Sequence, residues 1–148
     1  MSELIKKVLF ILIGLSNMPL FDIKEVEDKE QLACLASKLI SDQIRFGLKN
    51  KDRFQMALSG GATPRMTYEL LREELLPWSR VQIILGDERW VPHDDESSNA
   101  LMVRQTLLAL GPGSEASFYP TPTVEFPTPQ DSAKEFSKII KDLSLIHI

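Results

Sequence analysis

The sequence predicts an α/β fold, a mostly parallel sheet flanked by helices. Three observations lead there. Short apolar or β-branched runs alternate with longer stretches whose apolar residues recur at helical spacing. The switches between them carry capping and turn residues. One short run, VQIIL, is continuous rather than alternating, as in a strand buried in a parallel sheet. With 148 residues, 43% hydrophobic and 26% charged, the chain is long enough to bury one core.

The elements follow in order. Residues Phe21–Val26 read as a short strand. From Asp28 to about Asn50, Leu32, Leu35, Ala36, Leu39, Ile40, Ile44 and Leu48 keep helical spacing. Asp28 suits the N-cap, with Gln31 three residues on as in a capping box. Arg53–Leu58 is a strand ending at Ser59-Gly60-Gly61. Thr63 is placed to cap the next helix and Pro64 to open it, with Met66, Tyr68, Leu70, Leu71 and Leu75 along it and Pro77 after it. Val81–Leu85 is the buried strand and runs into GDERWVP. A helix over 98–110 stops at GPG. Residues 111–130, rich in proline and threonine, predict a loop with a short edge strand near Phe118–Tyr119. The last helix starts near Asp131, with Phe136, Ile139 and Ile140 on its apolar face. No internal repeat or low-complexity tract interrupts this order.

Seventeen basic residues against 21 acidic ones give a net charge of −4, and no basic block marks a nucleic-acid surface. The single cysteine, Cys34, has no partner for an internal disulfide and reads as a buried structural thiol in a helix. So low a cysteine content suits a reducing compartment. Residues 1–17 form an N-terminal extension with three readings. They are an overlong gene start ahead of Met18, an extra strand or helix, or a targeting segment. The apolar run Val8–Leu15 is far short of the roughly 20 residues of a membrane span. At the other end, LSLIHI (Leu143–Ile148) matches one translation frame of a transposon adapter used in sequencing libraries. It reads as a scar, so that residues 18–142 are the N-terminal part of a single domain and His147 has no functional meaning.

Two stretches carry chemistry. In MALSGGATPRMTYELL a strand ends in two glycines and a helix begins. Glycines let a ligand approach the main chain. A helix start offers free N–H groups and the positive end of the helix dipole to an anion, most often phosphate. Hydroxyls of Ser59 and Thr63 can add hydrogen bonds. The loop is neither a Walker P-loop nor a G-x-G-x-x-G fingerprint, and read alone it also fits a plain tight turn. The second stretch is LGDERWVPHDDESSNALMVRQTLL. Asp87, Glu88 and Arg89 follow a buried strand directly, at the carboxyl end where parallel sheets bind ligands. Arg89 has the fork geometry for phosphate, and Asp87 can orient a base or a sugar hydroxyl. Read alone, this triplet also fits a solvated loop. His93, in the polar segment VPHDDESSN, reads as a surface residue.

Taken together, S-G-G-x-T-P, then D-E-R-x-V-P, then S-N opening a helix resemble the 6-phosphogluconolactonase family over about Phe21 to Leu143. The resemblance implies a Rossmann-like mostly parallel sheet flanked by helices, here incomplete at the C-terminus. It implies hydrolysis of 6-phosphogluconolactone to 6-phosphogluconate in the oxidative pentose phosphate pathway, with no metal and no organic cofactor. It further implies a cytoplasmic enzyme, monomeric when complete, whose partner is a sugar-phosphate lactone rather than nucleic acid or membrane. By the same resemblance Ser59, Gly60, Gly61, Thr63 and Arg89 hold the substrate phosphate. Asp87 supports the catalytic network, and Glu88, Ser98 and Asn99 support the pocket. Ala62 stands where serine is frequent in the family, a minor departure because backbone N–H groups do the binding. The family's later G-x-G-x-D-G-H motif, with the histidine thought to activate water, has no counterpart here, so the main base is absent and little activity is expected of these residues by themselves. The alternatives are a non-catalytic sugar-phosphate-binding module and a glucosamine-6-phosphate deaminase or isomerase. In that last group the second motif usually reads D-E-Y-x-G-L, and Arg89 and Val91-Pro92 depart from it.

Overall fold

The longest helical pattern becomes helix α1, Lys29–Gly47, and its start is fixed by its caps. Oδ1 of Asp28 accepts from the Gln31 N–H at 2.7 Å. Gln31 reaches back to the Glu27 N–H at 3.3 Å, one residue earlier than in a standard capping box. The computed structural model describes residues 6–10 and 22–143. The possible start at Met18 lies outside them, as does the C-terminal tail apart from Leu143.

Two sheets form. Strands β1 (Lys6–Phe10) and β2 (Asp22–Val26) pair antiparallel, with Lys6 opposite Val26 and Phe10 opposite Asp22. The strand expected first in the parallel alternation therefore belongs to a separate ribbon, and part of the N-terminal extension is its partner. The parallel sheet has the order β3–β4–β5, from β3 (Phe54–Leu58), β4 (Val81–Leu85) and β5 (Ser117–Tyr119). Between β3 and β4 the register runs from Phe54 opposite Val81 to Leu58 opposite Leu85, so both strands end level. Helix α2 (Ala62–Leu71) crosses from β3 to β4, α3 (Asn99–Gln105) lies between β4 and β5, and α4 (Pro129–Asp142) follows β5.

One face of the sheet carries the core. Val81, Ile83 and Leu85 pack with Leu58, with Tyr68 and Leu71 of α2, with Ile44 of α1, and with Met102, Val103 and Leu107. Trp78 is buried with them, and its indole N–H donates to the Glu74 carbonyl at 2.9 Å, so the ring is buried without an orphaned donor. Arg80 spans back to the carbonyls of Lys51 (2.7 Å) and Asp52 (2.8 Å), fastening the end of α1 to the start of β4. The opposite face of the sheet carries Ala57 and Ile84 together with a chain of polar side chains. Gln55 donates to Gln82 at 3.0 Å and to the Leu143 carbonyl, and Gln82 donates to the Tyr119 hydroxyl at 3.4 Å.

Several local expectations are corrected. Gly61, not Thr63, is the N-cap of α2, and Thr63 and Pro64 sit within its first turn. Helix α2 ends at Leu71 rather than continuing to Leu75, which is 84% exposed. The Gly113 N–H takes the Arg72 carbonyl, and the Trp78 indole takes that of Glu74, where helix bonds would have gone. Helix α3 stops at Gln105 instead of reaching Leu110, because the Thr106 hydroxyl bonds back to the Met102 carbonyl at 2.7 Å and its backbone leaves the helical region. Helix α4 begins two residues early, at Pro129, capped by Thr128. Cys34 is exposed rather than buried. The buried face of α1 is Leu32, Ala33, Ser37, Ser41 and Ile44, whose small members Ala33, Ser37 and Ser41 let α2 approach while Cys34 turns outward.

Ile83 is fully buried at the centre of β4. Truncation by Ile83→Ala is expected to cost about 2–5 kcal/mol, the usual price of a core cavity. Urea unfolding of the two proteins measures it. A loss under about 1 kcal/mol would mean that this face is loosely packed.

Candidate functional site

The level ends of β3 and β4 bring the two chemistry-bearing stretches side by side. The Gly86 N–H donates to the Leu58 carbonyl at 2.8 Å, so the strands are tied at the point where the chain leaves the sheet in both. After Leu58 come Ser59, Gly60 and Gly61. After Leu85 come Gly86 and the Asp87-Glu88-Arg89 triplet.

Asn99, the first residue of α3, joins them. Its Nδ2 donates to the Asp87 carbonyl at 3.0 Å and lies 3.4 Å from Asp87 Oδ2. The same side chain lies on Gly60 so closely that a Cβ there would fall 2.0 Å from Asn99 Oδ1. Glycine is therefore required at position 60 by contact. At Gly61 it is required by conformation, with φ +117°.

The carboxylate of Glu88 closes the start of α3. One oxygen accepts from the N–H groups of Asn99 and Arg89, each at 2.8 Å. The other accepts from the Ala100 N–H at 2.8 Å and the Ser98 hydroxyl at 3.3 Å. Ser98 Oγ accepts in turn from the Leu101 N–H at 3.2 Å, as an N-cap does. The negative charge thus sits at the positive end of the α3 dipole with its donors satisfied. Arg89 donates through Nη1 to the Ser97 carbonyl at 2.7 Å and is otherwise exposed. Asp95 holds the turn before α3. The hydroxyl of Ser97, and then its backbone N–H, bond to the Asp95 carboxylate and lower its pKa.

Helix α2 is different. The other three α-helices among the described residues have side-chain caps, from Asp28, Ser98 and Thr128, whereas the start of α2 at Gly61 has none. Gly61 and Ala62, which open its first turn, are exposed. Those donors and the exposed Arg89 can bind an anion.

The site residues expected from sequence thus fall into two joined groups. Ser59, Gly60, Gly61 and Thr63 form the turn and first turn of α2. Asp87, Glu88, Arg89, Ser98 and Asn99 form the loop and the start of α3, with Asn99 touching both groups. His93 departs from the surface reading. Its side chain is 18% exposed, Nε2 lies 2.9 Å from the Thr121 carbonyl, and Nδ1 is 3.5 Å from Glu125. With the bond from the Thr123 hydroxyl to the Val91 carbonyl (2.6 Å), it fastens the segment after Arg89 to the loop before α4. A cleft of about 350 Å³ lies there, with Arg89 and Trp90 on one side and Thr121, Phe136 and Ser137 on the other.

Tyr68 is the residue that sequence reasoning passed over. Its hydroxyl accepts from the Ser59 N–H at 3.2 Å and donates to the Ser59 carbonyl at 3.0 Å. Burial raises the phenol's pKa, the bonds with Ser59 pull it back, and the Asp87 carboxylate adds a smaller push upward. The available signal was a tyrosine on an apolar helix face, since a buried phenol needs a partner.

The Gly60–Asn99 contact gives a test. Gly60→Ala is expected to destabilise the chain by about 1–3 kcal/mol through overpacking. In a double-mutant cycle with Asn99→Ala, which removes the three nearest atoms the new methyl would meet, the two losses should fall short of additive by about 1 kcal/mol or more. Additive losses in urea unfolding would show that the contact is not tight.

The profile of the family described as "Glucosamine-6-phosphate isomerases/6-phosphogluconolactonase" matches residues 27–146. The chain is 36% identical over 86 residues to a 6-phosphogluconolactonase from Nostoc sp., an alignment covering 58% of this chain and 36% of that protein. It is 31% identical over 109 residues to one from Synechocystis sp., covering 74% of this chain and 43% of that protein. Its fold matches the crystal structure of a 6-phosphogluconolactonase from Shewanella baltica OS155 with TM-score 0.72 and 29% identity, over 76% of this chain and 48% of that one. The matches therefore span less than half the length of each of these relatives. On the match over residues 27–146, the chain belongs to the glucosamine-6-phosphate isomerase/6-phosphogluconolactonase family.

Proposed function

We propose that these residues form the sugar-phosphate grip of a 6-phosphogluconolactonase, which hydrolyses 6-phospho-D-glucono-1,5-lactone to 6-phospho-D-gluconate in the oxidative pentose phosphate pathway. The observation that carries the reading is the uncapped start of α2, held by Asn99 against the loop that bears Asp87 and Arg89. In this reading the phosphate lies at the N–H groups of Gly61, Ala62 and Thr63, with the hydroxyls of Ser59 and Thr63 at its edge. Arg89 adds a charged donor whose geometry suits phosphate oxygens.

Hydrolysis of a lactone needs an activated water and stabilisation of charge on the carbonyl oxygen. A phosphate held at a distance from the carbonyl contributes binding energy that positions the ring for attack. We assign that positioning to this chain, with Asp87 supporting the network around the substrate. The water-activating histidine belongs to a motif not found in these 148 residues, and His93 is engaged with Thr121 and Glu125. We place the enzyme in the cytoplasm as a monomer when complete. The lone, exposed cysteine agrees with a reducing compartment, and no helix among the described residues is long and apolar enough to cross a membrane.

Calorimetric titration of the chain with 6-phosphogluconate tests the reading, with gluconate as the control lacking the phosphate. Binding of the phosphorylated sugar alone is expected. Arg89→Ala should weaken it about 10- to 100-fold, the worth of a charge-assisted hydrogen bond. Equal binding of both sugars, or no effect of Arg89→Ala, would remove the phosphate grip from this site.

A further inference from the structure

Tyr68 lies in the core and is 4% exposed, yet its hydroxyl makes both of its hydrogen bonds to a single residue nine positions back. That residue, Ser59, is the first beyond β3. The ladder between β3 and β4 ends at Leu58 opposite Leu85, so Ser59 has no strand partner for its N–H or its carbonyl. The phenol takes the place of that partner and engages both groups. Because the two groups belong to successive peptide planes, holding both fixes the direction in which the chain enters Gly60.

We infer that Tyr68 is a positioning residue for the anion-binding turn. It sets the peptide planes around Ser59 so that Gly60 seats under Asn99 and the first N–H groups of α2 converge on one anion. The inference rests on the phosphate reading above for the ligand, but the clamp itself is a statement about the turn. Helix α2 thereby holds its own entrance. The residue that fastens the turn lies on the second turn of the helix whose start the turn presents. A phenylalanine would keep the ring in the core and lose both bonds. Gly60 and Gly61 would then have the latitude of two glycines with nothing fixing the residue before them.

The test compares the full chain with Tyr68→Phe and with Leu71→Ala, a fully buried core residue of the same helix. Each is titrated with 6-phosphogluconate, and amide exchange is followed at Ser59, Gly60 and Gly61. Tyr68→Phe is expected to weaken binding about five- to tenfold, as the loss of hydrogen bonds between neutral groups would. It should also speed exchange at those three amides while leaving Ile83 protected. Leu71→Ala should lower the unfolding midpoint more and leave affinity within about twofold of the parent. Unchanged affinity and exchange in Tyr68→Phe, or an equal affinity loss in Leu71→Ala, would overturn the inference. If the parent chain binds no phosphorylated sugar, the phosphate reading fails, and the exchange data still decide whether Tyr68 holds the turn. Should Tyr68→Phe not fold, 3-fluorotyrosine incorporated at the two tyrosines gives a second readout. The Tyr68 fluorine signal should move on saturation with the phosphorylated sugar while that of Tyr119 does not, and a motionless Tyr68 signal counts against the clamp.

Discussion

The site depends on a single side chain, that of Asn99. It fills the space above Gly60, and its amide bonds to Asp87, so the turn after β3 and the loop after β4 share one fixed contact. Asn99 can do this because it is the first residue of α3, and α3 starts there because Glu88 and Ser98 satisfy its opening N–H groups. Glu88 comes from the loop that Asn99 holds. The two residues therefore position each other, and the shared carboxylate removes α3 as a competitor for an anion. What remains open at this end of the sheet is the start of α2.

Much of this was legible in the sequence, and the reasons differ by residue. VQIIL, Gly61 and Ser98 signal through local chemistry: β-branching, freedom at positive φ, and a hydroxyl ahead of a helix. Each kept its predicted place. The roles that were not legible depend on long-range contact. Tyr68 looks like any other residue on the apolar stripe of α2, and only the folded chain brings its hydroxyl to Ser59. The triplet Asp87-Glu88-Arg89 does not reveal which charge turns inward, and the answer, Glu88, is set by where α3 begins. Cys34 was misplaced because hydrophobicity was used to find the buried face of α1, whereas close approach to α2 selects Ala33, Ser37 and Ser41. The ends of α2 and α3 were overestimated because carbonyl groups there bond to Gly113, Trp78 and Thr106, partners that a helical pattern does not display.

The two faces of the parallel sheet divide the work. The face with Val81, Ile83 and Leu85 is apolar and supplies the core. The other carries the amides of Gln55 and Gln82 in hydrogen bonds that continue to Tyr119 and to the end of α4. Amide chains of this kind fix register without tight packing, which suits strands whose level ends define the site.

Strand β3 pairs with β4 alone among the described residues, and Ala57 within it is exposed. The glycine turn hangs from the end of β3, which the Gly86 N–H ties to the neighbouring strand through the Leu58 carbonyl. A ligand that binds only the closed turn adds its own binding free energy to the hold on that strand, growing with the logarithm of its concentration above Kd. Under the proposed phosphate reading, the bound anion is also a folding partner for β3.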